Sequence, residues 1–107
     1  MPLSQNAPPN TPVRGFIRHV VFFSAKDTAN IDQIVEGLSM LAKIYHAHLF
    51  EVSHNRKVDA TSSEVDVIVY GEFANQADLD AYKAHPIYQE CIAVVKPLRD
   101  LRVAADF

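Results

Sequence analysis

The stretch "FIRHVVFFSA", Phe16 to Ala25, decides the fold. Its β-branched and aromatic residues read as a strand. Alternation puts Ile17, His19, Val21 and Phe23 on one face and Phe16, Arg18, Val20 and Phe22 on the other. Both faces are apolar, so each needs a cover.

The segments downstream supply the first cover. "DTANIDQIVEGLSMLAKIYHA" carries Ile31, Ile34, Val35, Leu38, Leu41 and Ile44 at helical spacing, which predicts an amphipathic helix over 27–47 capped by Asp27 or Thr28. "HLFEVSHN" predicts a strand, and "RKVDATSS" a polar connection. "EVDVIVYGEF" predicts another strand, with Val65, Val67, Val69 and Phe73 on one side and Ile68 and Tyr70 on the other. "ANQADLDAYKAH" predicts a short helix capped by Asn75. Pro86 opens a second helical piece, "PIYQECIAVV", because proline suits a first turn and not an interior. "LRDLRVAADF" closes the chain as a last strand. Upstream, residues 1–13 hold four prolines among polar residues and read as a flexible leader to a domain over 14–107.

The order is β-α-β-β-α-β with a broken second helix. It predicts an α+β, ferredoxin-like monomer: an antiparallel four-stranded sheet with its helices on one face. The other face, including Phe16, Val20, Phe22, Ile68 and Tyr70, is left bare. Pairing two such sheets around a two-fold axis supplies the second cover, so the expected partner is a second copy of the chain in a dimeric α/β barrel.

Composition narrows the function classes. The chain has 107 residues, the size of one domain, and a net charge of −3 without a basic run, which argues against nucleic-acid binding. No apolar run approaches membrane length. Cys91 is the single cysteine; "QECIAVV" makes it a core thiol and fits a reducing, cytoplasmic compartment. With Gly15, Gly37 and Gly71 as the only glycines, no phosphate-cradling loop is possible, and no cofactor is expected. His46, His48 and His54 lack carboxylates or cysteine at ligand spacing and read as solvated histidines, so no metal is expected.

"IRHVVFF" in the first strand, "YKAHPIY" around the helix break and the closing "ADF" resemble the stress-responsive dimeric α/β barrel family, the Dabb domain, over roughly residues 16–107. The Tyr-x-x-His-Pro pattern from Tyr82 to Pro86 is the most specific element. The resemblance implies a ferredoxin-like monomer whose sheets pair into a barrel. Many members have no assigned activity, and a plant polyketide cyclase of the family closes a linear poly-β-ketone by aldol condensation. Carried over residue by residue, its first-strand histidine matches His19, its helix tyrosine Tyr82 and its histidine before proline His85. Its catalytic base falls at Tyr88, and a further pocket histidine at about Val67. Tyrosine, with a reference pKa near 10, is a poor base at neutral pH.

Each candidate also has a structural reading. His85 either contacts a ligand or fastens the helix break by capping it. His19 lines a cavity or is a satisfied core histidine, sharing its face with Val67 and Val69. Tyr82 donates to a substrate carbonyl or enolate, or packs ring-inward; Tyr88 has the same choice. Arg99 and Arg102, three apart, are expected on opposite strand faces, bound in salt bridges with Asp66, Glu72 or Asp100. Alternatively, Arg102 offers an anionic ligand a fixed partner. Two functions follow. One is a stress-responsive A/B barrel protein of uncharacterised activity that binds a small, mostly apolar ligand between sheet and helices. The other is a cyclase-like or cofactor-free monooxygenase-like enzyme acting on an enolisable carbonyl compound through His19, Tyr82 and His85, with Val67, Val69, Tyr88 and Arg102 around the ligand. A cavity reached by His19 and Tyr82 favours the enzyme; a solid core favours the other.

Overall fold

The structure, a computed structural model, describes residues 15–107, so the expected leader over 1–13 lies outside the described residues. Four strands, β1 (Ile17–Ala25), β2 (Ala47–His54), β3 (Val67–Phe73) and β4 (Arg99–Asp106), form one sheet in the order β2-β3-β1-β4. Each neighbouring pair is antiparallel. Three helices, α1 (Ile31–Ser39), α2 (Gln76–Ala84) and α3 (Pro86–Val95), complete the expected order.

The helices cover the face of β1 that carries His19, Val21 and Phe23, all nearly inaccessible. Val67, Val69 and Phe73 of β3 lie on the same face and meet Ile34, Leu38, Leu41, Leu79, Tyr82 and Val95 in one core. Gly37 lets α1 and α3 approach closely: a Cβ there would sit 2.8 Å from Val95 Cγ2. On the other face Val20, Phe22, Ile68 and Tyr70 are half-buried, and Val103 of β4 and Leu49 of β2 are 49% and 43% exposed.

Three boundaries differ from the expected ones. The first helix stops at Ser39, whose hydroxyl donates to the Val35 carbonyl at 2.6 Å. Such back-bonding loosens a helix, and Met40–Lys43 tighten into a 3-10 turn. Ile44 is extended and Tyr45 fully exposed, so Ala47 opens β2 rather than ending a helix. Residues 64–66, expected within the third strand, precede β3. Asn55 Nδ2 donates to the Val65 and Ser62 carbonyls and fixes this segment as a loop. The largest departure is in β4. The β1–β4 register runs Phe23 to Arg102 but Ala25 to Arg99, a bulge that inserts one residue. Alternation breaks there, so Arg99 and Arg102 fall on the same face instead of opposite ones.

Candidate functional site

The two helices that cover the sheet meet at His85, which ends α2 and starts α3 with an extended backbone. Its Nδ1 accepts from Ile87 N at 3.0 Å, and Pro86 occupies the first helical position, where a missing N–H costs nothing. His85 is therefore the fastener of the break, and it does not line the cavity below it. Asn75 caps α2 in the ordinary way, accepting from Asp78 N at 2.8 Å.

Beneath α3 and the end of α2 lies a cavity of about 280 Å³. Val21, Phe23 and Val69 form its floor, Leu38 and Leu41 one wall, and Cys91, Ile92 and Val95 of α3 the roof. Its open side runs along β4, the sheet edge that the helices leave uncovered: Arg102, Ala104 and Asp106 face the helix side and are exposed. Burial pushes the Cys91 thiol up to about 11, so it stays a neutral apolar group.

His19 sits at one end of the floor. Its ring contacts Phe73 and Tyr82 edge-on, and its Nδ1 lies 2.5 Å from Asp106 Oδ1. The antiparallel register that sets His19 opposite Asp106 creates this pair. A carboxylate can only accept, so Nδ1 carries the proton and Nε2 is left with its lone pair. Burial lowers the His19 pKa, outweighing the hydrogen bond and charge of Asp106, which raise it. At neutral pH His19 is thus an uncharged, oriented imidazole. Among the described residues Arg18 Nε is the fully enclosed side-chain polar atom without a partner. His19 Nε2 and the Tyr82 hydroxyl, which make no hydrogen bond with described residues, therefore reach the open space they line. Burial raises the Tyr82 pKa well above the ordinary phenol value, so its hydroxyl is a donor and not a base.

Tyr88 packs against Tyr82 with ring centroids 5.3 Å apart, so the tyrosines on either side of the break converge after all. Arg102 Nη2 lies 3.4 Å from the Tyr88 hydroxyl. Of the residues singled out from the sequence, His19, Tyr82, Val69, Tyr88 and Arg102 share the cavity. Two do not: His85 caps the helix break, and Val67, fully buried opposite Phe23, is covered by the core. Asp106, Lys96 and Arg99 were missed as site residues. Of these, Asp106 depends on the register of the first strand against the last, which the sequence pattern does not state.

Among the described residues no helix is long and apolar enough to cross a membrane. Residues 17–107 match the family described as the stress responsive A/B barrel domain, Dabb. A comparison with curated proteins returns no match. Among solved structures, a dimeric ferredoxin-like protein of unknown function from Thermobifida fusca is 26% identical, with 92% of this chain and 95% of that one covered at a TM-score of 0.74. A Dabb family protein with a ferredoxin-like fold from Mesorhizobium loti is 22% identical, covering 88% and 96% at a TM-score of 0.72. SnoaB, a cofactor-independent oxygenase from Streptomyces nogalater, is 9% identical, covering 88% and 92% at a TM-score of 0.66.

Proposed function

The chain belongs to the stress responsive A/B barrel domain family, and on that premise we propose that it acts as a homodimer that binds a small, mostly apolar ligand between sheet and helices. The cavity of about 280 Å³, apolar on floor, wall and roof with His19 and Tyr82 at one end, is the observation that carries this reading. Apolar concavities with a few converging polar groups are the usual form of a small-molecule site. Dimerisation is supported by relatives described as dimeric and by the bare apolar face of Val20, Phe22, Ile68 and Val103. A buried, high-pKa Cys91 is compatible with a cytoplasmic setting.

The neutral fluorescent ketone β-acetonaphthone tests the cavity. It is expected to bind wild type saturably and to be excluded by Ile92→Trp, which fills the roof from a partly exposed position. Equal binding by the two proteins would remove the cavity from consideration.

A second reading is favoured by the His19–Asp106 pair: proton abstraction from an enolisable carbonyl compound. The α C–H bond breaks as its proton goes to His19 Nε2. The electron pair moves to the carbonyl oxygen, and the Tyr82 hydroxyl donates a hydrogen bond to the enolate. The family cyclase's base position is occupied by Tyr88, so the basic group here is His19 on β1. SnoaB lends this reading a shared fold and no more. Exchange of the acidic protons of benzoylacetone for deuterium, above the buffer rate and lost in His19→Gln, is the expected result. An unchanged rate in His19→Gln would end the enzymatic reading and leave binding.

A further inference from the structure

The bulge in β4 turns Arg99 onto the face that carries Arg102, and Lys96 follows α3 at the same rim. Three cationic side chains therefore line the cavity, and the carboxylate nearest its described lining, Asp106, is held by His19 at the other end. Among the described residues none of the three forms an ion pair: of the acids expected to neutralise the arginines, Asp66 and Glu72 are engaged by Lys57 and His48, and Asp100 pairs with neither arginine. Among the described residues the Arg102 guanidinium makes only the long contact to the Tyr88 hydroxyl. These cations cluster in a chain of net charge −3.

From this arrangement we infer that the occupant is an amphipathic organic anion. Its apolar body lies against Val21, Leu38 and Val69, and its carboxylate or comparable acid group sits at the β4 mouth between Arg99 and Arg102. The inference rests on the cavity-binding reading above and adds the charge of the ligand. Guanidinium groups suit this task because each presents paired N–H donors that match a carboxylate. The cavity has room for a compact body, about nine water-sized volumes at ~30 Å³ each. A ring system or short chain with one acid group suits it.

The experiment compares β-naphthoate with β-acetonaphthone, which share ring and size and differ in charge, by fluorescence titration of wild type and of Arg99→Gln/Arg102→Gln. The expected result is naphthoate binding at least tenfold tighter in wild type, with the preference falling with added salt. The double variant should lose the preference while still binding the ketone. If the double variant fails to fold, the salt dependence in wild type, present for the acid and absent for the ketone, decides. Equal affinities in wild type would overturn the anionic ligand and leave the cavity reading standing, as would a double variant that keeps its preference. Binding of neither probe would sink the cavity reading and this inference together.

Discussion

The two faces of β1 differ in what covers them, though they read alike in sequence. On one, His19, Val21 and Phe23 are sealed by three helices; on the other, Val20 and Phe22 are half-buried and wait for something outside the chain. The lesson is that apolar alternation states a demand for cover without naming the source. The helices answer it on one side, and only partly, because they stop short of β4. The gap they leave is the cavity.

A charge on each face sharpens the contrast. Val21→Asp buries a carboxylate in the core and should unfold the monomer, a loss of about 4 kcal/mol by chemical denaturation. Phe22→Glu, the next residue, should leave helix content intact but weaken the dimer at least ~100-fold by light scattering, since symmetry places two carboxylates in one apolar interface. A Phe22→Glu protein that remains dimeric would break the paired-sheet proposal. Gly37→Ala tests the covering layer itself. Its new methyl meets Val95 Cγ2 at 2.8 Å, and prying α1 from α3 should cost ~1–3 kcal/mol in thermal unfolding. An unchanged melting temperature would mean that the roof of the cavity yields easily.

The element order was legible because each element carries its own period. Two-residue alternation marked β1 and β3, Ile34 and Leu38 marked α1, and Asn75 and Pro86 marked the starts of α2 and α3. The site was legible only in part. His19, Tyr82 and Arg102 are chemically conspicuous, and the fold brings them to one place. Asp106 stayed hidden because its role depends on a pairing across 87 residues, between the first strand and the last. Arg99 was hidden for another reason. A bulge changes which way a side chain faces without altering composition, so strict alternation sends Arg99 to the wrong side. His85 misled through its company: set between Tyr82 and Tyr88, it resembles a site residue, yet its Nδ1 caps Ile87 N and it does not line the cavity.

His19 and its pH dependence come next in size of effect. Exchange of benzoylacetone protons should fall at least ~100-fold in His19→Gln, the scale of general-base catalysis. In wild type the exchange stops once His19 is protonated. Burial lowers its folded pKa, so that limb should lie below pH 6.5, the ordinary histidine value. The same shift destabilises the fold in the same window. As pH falls below about 6.5 the unfolded chain gains its proton first, so the contribution of a neutral His19 is lost between that value and the lower folded pKa. A limb above pH 6.5 would mean that Asp106, and not burial, controls the ring.

Tyr82→Phe should have the smallest effect on stability and the most selective effect on function. Its ring is enclosed by Phe73, Tyr88 and His19, and phenylalanine keeps that packing. Its hydroxyl opens on the cavity without a partner among the described residues, so removing it strands no buried acceptor and should shift stability by less than ~0.5 kcal/mol. Affinity for β-acetonaphthone should drop several-fold, because the ketone oxygen loses its donor. Exchange of benzoylacetone should drop further, because a hydrogen bond strengthens as the oxygen gains charge in the enolate. If thermal stability falls markedly instead, the hydroxyl belongs to the sealed face after all. The polar end of the cavity would then be His19 alone.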